Sequence, residues 1–358
     1  MTIATQPAAA PLLATADDDH EQIVIRQDAA TGLRFIVAVH STVLGPALGG
    51  MRLKRYAGGL REALEDVMGL ARTMTLKASA AGLHLGGGKA VMIDDGRTEM
   101  REARLEAAAR VIEDLGGAYI TAEDIGTTTR DMDHMARFTR FVTGRSEALG
   151  GGGDPSPVTA ESVYQAIGRG LAAATGSAEL WERRVGVIGL GKVGGALAAR
   201  LADSGASLLV CDLDSERCES FVARHGGEIA PSAQAIMASP LDVLAPCAAG
   251  GTIDDALAGS LDCSVIAGAA NNPLTRRGVA RRLAERGILY VPDFLANCGG
   301  LIHVSAEWYG EGGPREAELI ACAMDRLDTA IETARLEGST PIEVAERQAL
   351  ERIAAARP

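Results

Sequence analysis

Lys77 and Lys89 lie twelve residues apart, and three consecutive glycines, Gly86, Gly87 and Gly88, immediately precede the second. Glycine runs weaken regular structure and let backbone pass close to another chain or a ligand. The expectation is a tight backbone passage with a sharp turn before Lys89, followed by a core strand over Ala90-Val91-Met92-Ile93. A lysine held there can serve as a fixed cation. It can also serve as a base if a second positive charge, such as Lys77, disfavours its ammonium form. A solvated surface lysine fits the local sequence equally well. Asp124 adds an acid just past a short strand, Tyr119-Ile120-Thr121, where loops of α/β proteins carry chemistry. Arg52 closes another glycine-rich passage, 44–52, and could meet a carboxylate or form an interdomain salt bridge.

A second constellation follows the apolar run Arg184-Val185-Gly186-Val187-Ile188. It reads Gly189-Leu190-Gly191-Lys192-Val193-Gly194, then an Ala/Leu-rich helix, then a strand Ser207–Cys211 ending at Asp212. Strand, GxGxxG, helix, strand and acidic residue in that order form the pattern of a dinucleotide-binding βαβ unit. Gly189 permits the tight turn, Gly191 lets a pyrophosphate approach the backbone, and Gly194 lets helix and strand pack. The helix start offers amides and the favourable end of the helix dipole to that anion. Asp212, 23 residues after Gly189, can accept the adenosine-ribose hydroxyls and would repel a 2′-phosphate. NAD is therefore expected over NADP, and Leu213 in place of a basic residue agrees.

These residues need elements to hold them. Residues 23–25 and 33–40 resemble two strands joined by a turn at 28–32, so the described pattern opens with antiparallel pairing. Leu60, Leu64, Val67, Met68 and Ala71 recur at helical spacing over 59–75, leading toward Lys77. A further helix over 99–115 is stopped by Gly116-Gly117, and another begins at Asp131, with His134 as a helix-surface or structural residue. Periodicity collapses over 150–157, the best candidate hinge. Helical patterning resumes from Thr159 to Ala174, setting Thr159 at a cleft shared by the domains. Later short strands at 243–245, 264–267 and 288–291 end at Cys247-Ala248, at Asn271-Asn272 and at Pro292-Asp293 respectively. Such ends can line a nicotinamide crevice. The two asparagines look functional, with turn capping as the alternative. Asn297 opens a helix returning along the cleft, with Cys298 as a small packing residue, and helices over 315–335 and 342–355 close the chain.

The fold class expected is α/β in two domains: an N-terminal α/β substrate domain with a mixed sheet, and a C-terminal Rossmann-type domain. The boundaries drawn are 1–150 for substrate binding and oligomerisation, 151–330 for NAD binding, and 331–358 for a helical segment returning to the first domain. A chain of 358 residues is longer than one core usually fills. Apolar residues make up 47% and aromatics 3%, so the cores are aliphatic. A net charge of −12 without a basic block disfavours nucleic acid and acidic membranes as partners. Six cysteines without CxxC spacing read as reduced thiols, and neither a signal peptide nor a membrane-length apolar span is evident, so a cytoplasmic location is expected. The scattered histidines suggest no metal site. Residues 1–20 read as a loose tail or as padding for a surface.

The assembled motifs resemble the amino-acid dehydrogenase family of leucine, valine, phenylalanine and glutamate dehydrogenases. The landmarks are GPALGGMR (45–52), MTLK (74–77), GLHLGGGKAV (82–91), TAEDIGTT (121–128), GDPSPVTA (153–160), APCAAGG (245–251), AGAANN (267–272) and PDFLANCGG (292–300). By that resemblance Lys77 holds the substrate α-carboxylate, Lys89 is the catalytic lysine and Asp124 its acidic partner in proton transfer. Gly50 approaches the substrate, Thr159 contacts the nicotinamide amide, and Asn271 and Asn272 fall in a region of substrate and cofactor contacts. Ala122, Leu301 and Val304 match positions lining the side-chain pocket. The implied activity is reversible, NAD-dependent oxidative deamination of a branched aliphatic L-amino acid to a 2-oxo acid and ammonia, by a homo-oligomer. Phenylalanine is the rival substrate. His84 and Cys298 depart from the Asn and Ala common in branched-chain motifs, which bears on fine specificity. From another class, an NAD-responsive binding protein that has lost turnover would keep the scaffold.

Overall fold

The computed structural model describes residues 19–357, so the expected tail falls almost wholly outside it. Two compact units emerge: one holds the chain through Thr75 and then Gly86–Phe141, the other Leu76–Leu85 and Val142 onward.

The first unit is built from β1 (Gln22–Asp28), β2 (Leu33–Ser41), β3 (Ala47–Lys54), α1 (Gly59–Ala80), β4 (Gly86–Ile93), α2 (Arg101–Asp114), β5 (Tyr119–Glu123) and α3 (Thr129–Met135), with the last turn of α1 belonging to the other unit. Its sheet runs β1-β2-β4-β3-β5. β1 pairs antiparallel with β2 and β2 with β4, whereas β3 is parallel to both β4 and β5, giving the expected mixed sheet. Ile36 and Ala38 of β2 and Val91 and Ile93 of β4, each pair two residues apart and so on one face, pack with Ala63, Leu64, Val67 and Ala71 of α1. Asp19, at the start of the described chain, is fastened by His40 at 3.0 Å and Arg72 at 3.1 Å.

The glycines before Lys89 do not form a turn. Gly86, Gly87 and Gly88 are buried residues of β4 in mid-sheet. A Cβ on Gly86 would collide with Ser41 O, one on Gly87 with the backbone of Thr75, and one on Gly88 would lie 2.7 Å from the Tyr119 ring. The close passage is real, but an extended strand makes it.

The second unit comprises α4 (Ser156–Thr175), β6 (Arg184–Ile188), α5 (Lys192–Asp203), β7 (Ser207–Cys211), α6 (Ser215–His225), β8 (Glu228–Ile229), α7 (Ala233–Met237), β9 (Val243–Pro246), α8 (Asp255–Ala258), β10 (Val265–Ile266), α9 (Val279–Glu285), β11 (Leu289–Tyr290), α10 (Asp293–Ala296), α11 (Gly299–Tyr309), α12 (Pro314–Glu337) and α13 (Pro341–Ala355). Its six strands are ordered β11-β10-β9-β6-β7-β8, and every pairing is parallel. The order reverses between β6 and β9, the switch point where doubly wound sheets bind ligands.

The first unit ends at Phe141, short of the glycine run at 150–153. Residues 142–152 are tied to α11: Thr143 Oγ1 donates to Val304 O at 3.0 Å, and the amides of Gly144 and Gly152 donate to Glu307 at 2.8 and 3.0 Å. The terminal helix α13 lies in the second unit, which also takes in Leu76–Leu85. It grips the end of α1, which runs past Thr75 to Ala80. Ser79 Oγ donates to Ala349 O at 2.7 Å, and Arg352 donates to Leu83 O at 2.8 Å. Among the described residues, no helix is long and apolar enough to cross a membrane.

Candidate active site

In the first unit Lys89 is 6% exposed on β4, two residues from Val91 and therefore on the face that α1 covers. Its Nζ lies 3.0 Å from Asp124 Oδ2. Arg52 of β3 donates through Nε to that same oxygen at 3.0 Å and through Nη1 to Asp66 of α1 at 3.1 Å. Tyr56 completes the chain by donating its hydroxyl to Asp66 at 2.6 Å. Arg52 thus meets carboxylates of its own unit, which overturns the interdomain alternative.

The loop carrying Asp124 is itself held. Thr127 Oγ1 accepts from the Asp124 amide at 2.9 Å and donates to Met51 O at 2.8 Å. Gly50, paired with Ala122 across the sheet, has to be glycine, because a Cβ there would lie 2.6 Å from Glu123 O and 2.8 Å from Asp124 Cβ. Ala122 is buried on β5.

Burial is the largest influence on Lys89 and pushes its ammonium below the ordinary lysine value, with Arg52 adding like-charge repulsion. Within the first unit, burial and Arg52 are the depressing causes. Burial would raise Asp124, but Lys89 and Arg52 outweigh it and hold the carboxyl below its usual range. The arrangement is a carboxyl held below its usual range beside a lysine held below its own.

In the second unit Lys77 sits in the last turn of α1, near enough to Cys298 for its charge to be felt there. Burial nevertheless pushes that thiol up to about 12, so Cys298 is an inert packing residue, as expected. Leu301 and Val304 are buried on α11. Thr159 bonds within α4, its Oγ1 donating to Pro155 O at 2.9 Å, and a Cβ on Gly300 would lie 2.7 Å from that oxygen. Asn297 donates through Nδ2 to Ala269 O at 3.1 Å and Asn271 Oδ1 at 2.9 Å, while its own buried Oδ1 meets no donor. Asn272 adopts a left-handed backbone (φ 47°), with its amide fixed by Asp293 at 2.8 Å. Asn271 and Asn272 are both exposed, and the left-handed backbone at Asn272 gives it the turn role.

The GxGxxG loop fits a dinucleotide. Gly189 has φ +98° and packs on Cys247 and Ala248, and a Cβ on Gly194 would collide with Gly189 O. A Cβ on Gly191 would meet nothing within 4 Å, and as N-cap of α5 this residue offers no side chain to the helix amides. Two glycines are thus demanded by packing and the third faces open space at a helix start, the cradle a pyrophosphate needs. Lys192 is exposed and pairs with Asp154 at 3.2 Å, and Val193 is half-buried behind it. Asp212 accepts the Leu190 amide at 2.7 Å. Leu213 is fully exposed, but a cation does reach Asp212: Arg217 of α6, at 3.3 Å.

Models of two family domains match the chain: the dimerisation domain of Glu/Leu/Phe/Val dehydrogenases over residues 20–141, and the Glutamate/Leucine/Phenylalanine/Valine dehydrogenase domain over 210–357. Leucine dehydrogenase of Thermoactinomyces intermedius is 42% identical over 335 residues, covering 94% of this chain and 91% of that protein. The chain belongs to the Glu/Leu/Phe/Val dehydrogenase family. Within this family it stands close to the leucine and valine dehydrogenases; valine dehydrogenase of Streptomyces coelicolor is 42% identical over 341 residues, covering 95% of this chain and 93% of that protein. Among solved structures, L-tryptophan dehydrogenase from Nostoc punctiforme matches with a TM-score of 0.81 and 33% identity, covering 94% of this chain and 97% of that one. As a member of a dehydrogenase family, the chain carries an oxidoreductase scaffold with a dinucleotide-binding fold. Asp66, Tyr56 and Arg217 escaped sequence reading because each lies on a helix or loop whose polar residues pass for a solvated face.

Proposed function

We propose that this dehydrogenase catalyses the NAD-dependent, reversible oxidative deamination of a branched aliphatic L-amino acid to the 2-oxo acid and ammonia. The Lys89–Asp124 pair carries the reading, because a buried lysine held below its ordinary value beside a carboxylate is suited to moving protons. Lys77 is the cation for the substrate carboxylate, a charge-assisted bond that fixes Cα. An oxidised nicotinamide bound at the GxGxxG loop would supply the acceptor for the hydride of Cα. Lys89, in its neutral form, then takes a proton from the water that attacks the imine carbon. Asp124, with the permanent cation of Arg52 beside it, accepts a proton from the amino group and returns it to the nitrogen that leaves as ammonia. Thr159, Gly189, Leu190, Gly191, Lys192, Val193, Gly194, Asp212, Cys247, Ala248, Asn271 and Asn297 are the residues we assign to the dinucleotide, and Gly50 and Asn272 to the substrate's surroundings.

Ala122 of the first unit and Leu301 and Val304 of the second, the residues assigned to the substrate side chain, are all apolar, which disfavours a glutamate carboxylate. The leucine and valine dehydrogenase relatives support a branched aliphatic substrate. An aromatic substrate, phenylalanine first, is the second reading, and the likeness to a tryptophan dehydrogenase favours it. We also infer a homo-oligomer, in keeping with the dimerisation-domain match. The purified protein given NAD and a panel of L-amino acids should produce NADH absorbance fastest with leucine or valine. Faster turnover of phenylalanine would reverse the substrate assignment, and no turnover of any amino acid would defeat the activity itself.

A further inference from the structure

The cation beside Asp212 has no place in the pattern that marks the dinucleotide site. Arg217, the third residue of α6, sets Nη1 3.3 Å from both carboxylate oxygens of Asp212 and Nη2 3.3 Å from Asp214 Oδ2. Asp212 is pinned on its other sides, since Leu190 N donates to Oδ2 at 2.7 Å and Asp214 N to Oδ1 at 3.0 Å. The carboxylate therefore cannot swing aside for a ligand. The guanidinium can: its side chain is 47% exposed and, among the described residues, is paired with these two acids. A 2′-phosphate arriving at this corner would meet two fixed negative charges, and one cation able to turn toward it at the start of an eleven-residue helix.

We propose that Arg217 is a specificity residue for the ribose 2′ position, so that Asp212 reads the hydroxyl of NAD while Arg217 gives the site a residual affinity for the 2′-phosphate of NADP. This rests on the dinucleotide-site reading given above. An unpaired aspartate would reject the phosphate outright; one partly neutralised by an arginine rejects it by a finite factor. The same arginine makes the preference reversible at one position, because removing the Asp212 charge leaves Arg217 with Asp214 as its carboxylate partner and a guanidinium edge free for a phosphate.

Titration of the full-length protein with NADH and with NADPH, followed by nicotinamide fluorescence, tests this without any need for turnover. The unaltered protein should favour NADH. Arg217→Gln should weaken NADPH about tenfold while leaving NADH within about threefold, the loss of one charge-assisted contact. Asp212→Ser should weaken NADH and tighten NADPH, so that their ratio swings about a hundredfold. Adding Arg217→Gln to Asp212→Ser should abolish the NADPH gain. If that double variant binds NADPH as well as Asp212→Ser alone, Arg217 does not touch the phosphate and the proposal is overturned. If the unaltered protein binds neither dinucleotide, the underlying site reading fails and takes this proposal with it. Normal NADH binding with an unmoved NADPH ratio in all variants overturns the Arg217 role alone.

Discussion

Arg52 Nε and Lys89 Nζ lie at the same distance, 3.0 Å, from one and the same oxygen, Oδ2 of Asp124. One carboxylate oxygen therefore faces two cations, and Asp66 holds the outer one in place. Arg52 acts on both partners: it repels the ammonium of Lys89 and attracts the anion of Asp124. It is a positioning residue, since it reaches the chemistry through the other two.

Replacing Arg52 by Gln should move the pH profile of kcat/KM. Without that cation both Lys89 and Asp124 release their protons at higher pH, and the active form needs both released. The rising limb should shift to higher pH, with turnover lost near neutrality and partly recovered in alkali. A merely structural role would lower kcat/KM equally at every pH and leave the limb where it was.

Lys89→Met should keep the fold and lose turnover by about a thousandfold, the usual contribution of a positioned proton carrier. Methionine preserves volume and removes a buried ammonium, so the thermal midpoint should hold. Asp124→Asn should lose turnover similarly but also cost about 3 kcal/mol of stability, because Lys89 is left buried without its counterion. Circular dichroism melts beside steady-state rates would separate the two effects.

Stability should fall in acid through Asp124 and Asp131. Both are held below the ordinary carboxylate range, Asp124 by Lys89 and Arg52 against its burial, and Asp131 by Arg101 and Thr128 against its own. A carboxyl depressed in the folded state contributes fully above its unfolded value and loses that contribution as pH drops through the folded one. Denaturant midpoints should therefore decline from about pH 4 downward. Asp131→Asn should flatten the slope, and a slope unchanged by that substitution would remove Asp131 from the account.

Two alanine substitutions in the dinucleotide loop should part company. Gly194→Ala presses a Cβ onto Gly189 O and should destabilise the second unit by about 2 kcal/mol or more. Gly191→Ala meets only open space, so its melting temperature should stay near that of the unaltered protein while NADH binding weakens, because the methyl occupies the path of the pyrophosphate. Equal melting temperatures with equal NADH affinities would contradict the assigned division of labour.

What the sequence determined by itself was whatever neighbouring residues encode together. The glycines at 189, 191 and 194, the strand before them and Asp212 after them fall within one local unit, so their spacing revealed the cradle. The periodicity of 59–71 likewise marked the helix behind the sheet. Tertiary structure decided the rest, because the partners are distant in the chain. Gly86, Gly87 and Gly88 are glycine on account of Ser41, Thr75 and Tyr119, and their run looked like a turn because those neighbours were not visible. The end of α1 extends to Ala80, where Gly82 with its left-handed backbone (φ 77°) supplies a local stop, but Ala349 and Arg352, which hold that last turn, lie about 270 residues away and no local signal names them. Lys89 could be named as a lysine of interest. That it is buried, meets Asp124 and is repelled by Arg52 depended on three separate strands or strand ends converging, and charge at a site follows distance in space, which sequence spacing does not measure.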